Sequence, residues 1–264
     1  MVIDAHTHIY PPKVAEKAVG YIGEFYGLDM RGGTTPLGGT AENLIECGKI
    51  GGIDRFLVLA VSQTPEQVQR INDFTAATVA ANPELIGFGS LHRYMENPLE
   101  EVERLQALGL KGVKFHPDMQ RFFIDDDALF PVYDLLTQKG LPILLHTGDY
   151  RHPWSHPERM ARVIKAFPKL TVIAAHFGGW SLFDLALEYL LQSGCYVDTS
   201  SSLPLLGKKR FAELIKLYGA ERVLFGSDYP MWDPGEELKA FLSVGLPAKD
   251  LELILSGNLL RILG

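Results

Sequence analysis

DALFPVYDLLTQKGLPILLH, residues 127–146, holds one full repeat of the pattern that decides the fold. Apolar residues at helical spacing run from Leu129 to Leu136, Gly140 stops the helix, and an unbroken apolar run, LPILLH, follows. An apolar run without alternation reads as a strand covered on both faces, as in a parallel sheet. This one ends on a histidine, His146.

Working outward, the same strand type recurs as VIDAH (2–6), RFLVLAV (55–61), LIGFGSL (85–91), LKGVKF (110–115), LTVIAAH (170–176), CYVDTS (195–200) and RVLFGSD (222–228), which with LPILLH makes eight. Amphipathic stretches at 65–82, 98–108, 127–139, 157–167, 181–192 and 208–218 lie between them, with Gly109, Gly140, Gly194 and Gly219 each placed between a helix and the next strand. Ser155-His156-Pro157-Glu158 reads as a capping box with proline in the first turn. Eight strand–helix units in 264 residues predict an α/β fold, a single (β/α)8 TIM barrel spanning residues 1–264. A doubly wound open sheet is the alternative, disfavoured because no Gly-x-Gly-x-x-Gly follows a strand. About 50 residues separate the first two strands: a helix at 12–25, a glycine-rich loop RGGTTPLGGT (31–40) and a helix near 41–49. This extended connection (insertion 9–52) reads as a partial cover over the active site or as an irregular surface excursion.

Composition bounds the function. The chain is 47% hydrophobic and 22% charged, with a net charge of −7 and no Lys/Arg cluster, which argues against a nucleic-acid partner. No apolar run approaches a membrane span and no signal-peptide pattern opens the chain, so a soluble cytoplasmic protein is expected. Cys47 and Cys195 match no metal or redox spacing and are read as free thiols. A homo-oligomer, in the simplest case a dimer, is compatible with the sequence.

In a barrel of this kind catalytic residues sit at the C-terminal ends of strands. The first strand ends in His6 and His8, the fourth leads into His116, the fifth ends in His146, the sixth in His176 and the eighth in Asp228, so five of the eight histidines fall at such ends. Strict alternation places Asp4, His6 and His8 on one face, with Ile3 and Ala5 turned to the helices. By the same rule Leu144 and His146 face inward, as do Val172, Ala174 and His176, and Leu224, Gly226 and Asp228. Three or four imidazoles and a carboxylate around one axis make a ligand set for a divalent metal such as zinc, with room for water.

His6-x-His8, LLHTGD with His146, AAHFGGW with His176, LFGSDYP with Asp228 and the ending SGNLLRIL (256–263) resemble the amidohydrolase superfamily, in particular the "amidohydrolase 2" group of metal-dependent hydrolases and decarboxylases related to aminocarboxymuconate semialdehyde decarboxylase. The resemblance covers the whole chain. It implies that His6, His8, His146 and Asp228 bind one divalent metal, Zn2+ with Mn2+ as the alternative, and that His176, with Asp228, handles protons. Some members carry a carboxylated lysine on strand 4; Lys114 lies too deep for that role, so a single ion is expected. His116 is placed at the rim as a substrate contact or a donor behind one, or as a loop hydrogen bond. Trp180 is read as pocket-lining or packing, Arg121 as a carboxylate-binding residue or a surface ion pair, and Tyr229 and Trp232 as pocket wall. The expected activity is hydrolysis of a small-molecule ester, lactone or amide; the alternative is non-oxidative decarboxylation of a small carboxylic acid.

Overall fold

A computed structural model describes residues 1–28 and 38–264. Residues 31–37 of the glycine-rich loop therefore lie outside the described residues. Eight parallel strands follow one another around a barrel in chain order: β1 (Ile3–Thr7), β2 (Arg55–Leu59), β3 (Leu85–Ser90), β4 (Val113–Phe115), β5 (Ile143–Leu145), β6 (Val172–Ala174), β7 (Tyr196–Asp198) and β8 (Val223–Leu224). Closure comes from hydrogen bonds between the first and last strands and their extensions: Ala5 N donates to Phe225 O (2.8 Å), Asp228 N to His6 O (2.8 Å) and His8 N to Tyr229 O (2.7 Å). The fold is the (β/α)8 barrel that the strand count predicts.

Helices α1 (Pro12–Tyr26) and α2 (Ala41–Gly51) fill the long β1–β2 connection. The later crossovers carry α3 (Val68–Ala81), α4 (Pro98–Ala107), α5 (Pro117–Gln120), α6 (Phe130–Lys139), α7 (Pro157–Ala166), α8 (Phe183–Leu190) and α9 (Leu203–Tyr218), and α10 (Pro234–Leu242), α11 (Ala248–Glu252) and α12 (Asn258–Leu263) follow β8. Pro12, Pro98, Pro157 and Pro234 each open a helix, where the missing N–H costs nothing. At α6 the chain leaves the helix through Gly140 at φ 65°, a left-handed conformation that glycine adopts without a side-chain clash. The α7 cap differs from the expected box. His156 itself is the N-cap, its Nδ1 accepting from Glu158 N (3.2 Å), while Ser155 Oγ donates to Asp118 Oδ2 (2.6 Å).

Two apolar layers make the core. Inside the barrel Ile3, Ala5, Leu57, Leu59, Ile86, Phe88, Leu144, Ile173, Ala175 and Leu224 pack together, and Leu259 with Ile262 and Leu263 of α12 covers the floor. Outside, Phe56, Val58, Val113, Phe115, Ile143, Leu145, Val172, Ala174 and Val197 meet the helices. Strict alternation predicts the inward faces of β5 and β8 correctly and those of β1 and β6 wrongly. Ile3 and Ala5 point inward, not outward; Asp4 Oδ1 instead accepts from the backbone N–H of His6 and Ser227. The pairing of β1 with β2 shifts between Asp4↔Phe56 and Thr7↔Val58, so one extra residue on β1 resets the phase before the histidines. On β6 it is Ile173 and Ala175 that face the axis, and His176 reaches the barrel mouth because its backbone turns to φ 57°. No helix among the described residues is long and apolar enough to cross a membrane. Both cysteines are free and buried.

Candidate active site

Six of the expected residues, His6, His8, His116, His146, His176 and Asp228, line one cavity of about 60 Å3 at the C-terminal mouth of the barrel. Helix α1 contributes Ala18, Tyr21, Ile22 and Tyr26 to the same cavity, with Val61, Met119 and Met231 completing its apolar walls. Trp180 is not among the lining residues: its ring packs 5.3 Å from that of Tyr26, one layer behind the cavity. Arg121 is corrected more strongly. It caps the C-terminus of the four-residue helix α5 at φ 58° and is exposed, away from the cavity. After β8 it is Pro230 and Met231 that form wall; Tyr229 bonds Asn43 of α2 (2.7 Å) and Trp232 Nε1 donates to Ser201 Oγ (2.9 Å).

Hydrogen-bond partners fix which ring atoms can bind anything. His8 Nδ1 lies 2.8 Å from Leu59 O, and a carbonyl only accepts, so Nδ1 carries a proton and, in the neutral ring, Nε2 presents the lone pair. His6 Nδ1 lies 2.8 Å from Asp198 Oδ2 and donates to that carboxylate, again leaving Nε2 bare. Both Nε2 atoms stand 3.5 Å from Asp228 Oδ1. His6, His8 and Asp228 are one of three groups among the described residues whose ligand atoms all fall within 4.8 Å of one another. His146 lies outside that triad, in a second group with His116 and Asp118.

Its tautomer follows from a chain of contacts. His176 Nδ1 donates to Ser200 O (2.9 Å), so His176 Nε2 must accept from His146 Nδ1 (3.0 Å), and His146 Nε2 is left as a buried lone pair with no partner. It faces Asp118 Oδ2 at 3.4 Å, and burial, reinforced by the charge of Asp149, pushes the Asp118 carboxyl up to about 7. Burial, with the Lys114 ammonium beside it, lowers His6 to about 4, so the ring is neutral at physiological pH. For His146 burial and then the neighbouring His116 act in the same direction, holding it well below the usual histidine range. Burial alone would raise Asp228; His6 and His8 oppose it and hold the carboxylate well below its ordinary value.

Residues that support these groups were not all visible from the sequence. Asp198 at the end of β7 is fully buried and joins two histidines: Oδ2 holds His6, and Oδ1 accepts from His176 N (3.0 Å) and Ser200 N (3.1 Å). Applying the strand-end rule to CYVDTS would have found it. Ser201 Oγ donates to Asp228 Oδ2 (2.6 Å) and is itself held by Trp232. Lys114 reaches up from inside the barrel to 3.3 Å from His6 Nε2. Asp228 and His176 both hold positive φ values (67° and 57°), strain that non-glycine residues keep where a site requires it.

The barrel and its histidine–aspartate mouth define a class, and the chain belongs to it: residues 3–264 match the family described as Amidohydrolase. It is 26% identical to the 2-amino-3-carboxymuconate-6-semialdehyde decarboxylase of Dictyostelium discoideum, over 74% of this chain and 66% of the relative's length. Its fold is similar to that of an uncharacterised TIM-barrel protein from Bordetella bronchiseptica (TM-score 0.82, 22% identity, 99% and 98% of the two chains covered). It is likewise similar to a 5-carboxyvanillate decarboxylase from Novosphingobium aromaticivorans solved with manganese and 4-hydroxy-3-methoxy-5-nitrobenzoic acid (TM-score 0.78, 16% identity, 100% and 96% covered). The expectation of hydrolysis is corrected here. The 26%-identical relative and the carboxyvanillate enzyme are both named decarboxylases, and the histidine–carboxylate set, which suits both chemistries, does not separate them.

Proposed function

We propose that the chain is a divalent-metal-dependent decarboxylase of a small aromatic carboxylic acid. The observation that carries the reading is the convergence of imidazole nitrogens and a carboxylate on one cavity, in a chain whose 26%-identical relative is named a decarboxylase. The donor set suits a divalent cation, since His6 Nε2, His8 Nε2 and Asp228 Oδ1 present lone pairs within 4.8 Å of one another. His146 is proposed as a fourth ligand because its buried Nε2 lacks any partner, a costly state unless something binds there. One such ion is expected, with manganese the first to test, given the manganese in the carboxyvanillate enzyme, and zinc the second. When bound, it would fix the substrate's oxygens and withdraw charge from them.

The chain's own residues would do the rest. Ile22, Val61, Met119 and Met231 offer an apolar slot for a ring. His176, its Nδ1 anchored on Ser200 O and its Nε2 accepting from His146 Nδ1, is the group that would take up a solvent proton at Nε2 and deliver it in the cavity. In the reaction a proton would pass to the ring carbon, the bond to the carboxylate carbon would break and CO2 would leave. His146 Nδ1–H, 3.0 Å from His176 Nε2, would orient that nitrogen, and the proton consumed in each turnover would come from solvent. Asp228 is the second candidate for proton handling, steadied by Ser201. The described parts of the 9–52 connection, residues 9–28 and 38–52, would serve as partial cover, with the α1 side chains forming one wall.

The test is a screen of hydroxylated benzoates and related acids with manganese-loaded protein. It should follow CO2 release and, separately, the appearance of new carboxylic acid from esters and lactones. CO2 release that disappears with chelator supports the reading, and its absence across the panel refutes it.

A further inference from the structure

Among the described residues, no arginine or lysine lines the cavity, although the proposed substrate is an anion. Arg151, the nearest candidate, uses all three of its nitrogens within the chain: Nε and Nη2 donate to the buried Asp149 (2.9 and 2.6 Å) and Nη1 to Phe25 O (2.7 Å). Its guanidinium also lies 5.3 Å from the centres of the Phe25 and Tyr26 rings and 5.5 Å from that of Trp180. Arg151 therefore ties the C-terminal end of α1 to the loop after β5, and the residue fixed over the cavity is Tyr26.

The state of the Tyr26 hydroxyl follows from its neighbour. Met119 N lies 3.2 Å from His116 Nδ1, and a backbone N–H only donates, so Nδ1 is bare and the His116 proton is on Nε2. That Nε2–H lies 2.8 Å from Tyr26 Oη and donates to it. The phenol's own proton is thus not used by His116, and among the described residues Tyr26 Oη has no other hydrogen-bond partner. His116 is stacked on His146 with ring centres 4.0 Å apart, a contact that favours this ring orientation. Desolvation of the hydroxyl, together with Asp228 and Asp118 nearby, raises Tyr26 well above the ordinary phenol value and keeps it protonated.

We propose that Tyr26 recognises a negatively charged oxygen of the aromatic acid, carboxylate or phenolate, through an O–H that His116 leaves unused and aims into the cavity. This rests on the decarboxylase reading for the substrate class. The Met119–His116–Tyr26 relay itself is a property of the chain alone. A neutral donor does here what an arginine does elsewhere, so binding should depend only weakly on ionic strength as far as this contact is concerned.

The test uses the full manganese-loaded chain and 4-hydroxy-3-methoxy-5-nitrobenzoate, titrated by its nitrophenol absorbance. Tyr26→Phe should weaken binding about tenfold, the scale of one hydrogen bond to a charged oxygen, with melting temperature and metal content unchanged. In parallel, 15N spectra of labelled histidine should show His116 protonated at Nε2 and bare at Nδ1. Equal affinity in Tyr26→Phe, a proton on His116 Nδ1, or a wild-type protein that does not bind the probe would each overturn the assignment. Tyr26-dependent binding without CO2 release from any acid would refute the decarboxylase reading and leave this assignment standing.

Discussion

Replacing Asp198 with asparagine tests the organisation of the site more directly than removing a ligand. The Asp198 carboxylate accepts four hydrogen bonds while fully buried: Oδ1 takes His176 N, Ser200 N and Ser200 Oγ, and Oδ2 takes His6 Nδ1. Asparagine is nearly isosteric and can keep the first three through its Oδ1. The fourth becomes N–H facing N–H, and turning the amide over would only move the conflict onto three donors instead of one. One buried charge-assisted bond is lost, at about 1.5–3 kcal/mol, and a donor is left unpaired. We therefore expect a loss of about 3 kcal/mol in urea unfolding of the metal-free chain. The other escape is for His6 to move its proton to Nε2 and accept from the new amide. That removes the lone pair facing Asp228, and metal affinity should fall about 10- to 100-fold, the usual cost of losing a group that orients a ligand. Competition against a chromogenic chelator measures the affinity and 15N spectra of His6 report the tautomer. A variant with wild-type affinity and stability would refute the inference that Asp198 sets the His6 tautomer.

His176→Asn should retain metal and abolish turnover, checked by metal analysis beside CO2 release; near-normal rates would remove His176 from the proton path. Gly148→Ala should cost about 2–3 kcal/mol in urea unfolding, since φ is 77° and the new Cβ would stand 2.5 Å from Gly179 Cα. Glu237 is raised from 4.5 to about 7 by burial and then by Asp4 and Asp228. The folded state therefore holds an extra proton between those values, and wild-type stability falls as pH rises through 7. Glu237→Gln should exceed wild type by on the order of 2 kcal/mol at pH 8, after a discount for partial exposure, and lose that advantage at pH 5, as read from melting curves at both values.

The periodic apolar runs carried the fold. A strand covered on both faces and followed by an amphipathic helix, recurring eight times, suits a closed barrel, and each observed strand falls within or overlaps one of the eight apolar runs. The histidines at strand ends were legible for the same reason: the barrel brings strand C-termini to one mouth whatever happens between them. Phase was less legible, because alternation counts residues and a bulge adds one. The extra residue in β1 turns Ile3 and Ala5 inward and still delivers His6 and His8 to the cavity, although strict alternation gives the wrong phase for the residues before them.

What the sequence hid lies in contacts between distant segments. Tyr26 meets His116 across 90 positions and Arg151 meets Phe25 across 126, and no periodicity encodes either pairing. This is also why hydrolysis and decarboxylation were inseparable in the sequence. The histidine–carboxylate cluster sits at the strand ends and suits both chemistries, whereas the donor proposed to hold a substrate oxygen, Tyr26, comes from α1, which Arg151 ties to the loop after β5. On the proposed reading the mark of an acid substrate in this chain is a phenol and not a free arginine, because the arginine near the site bonds Asp149 and Phe25 and the donor it holds over the cavity is Tyr26.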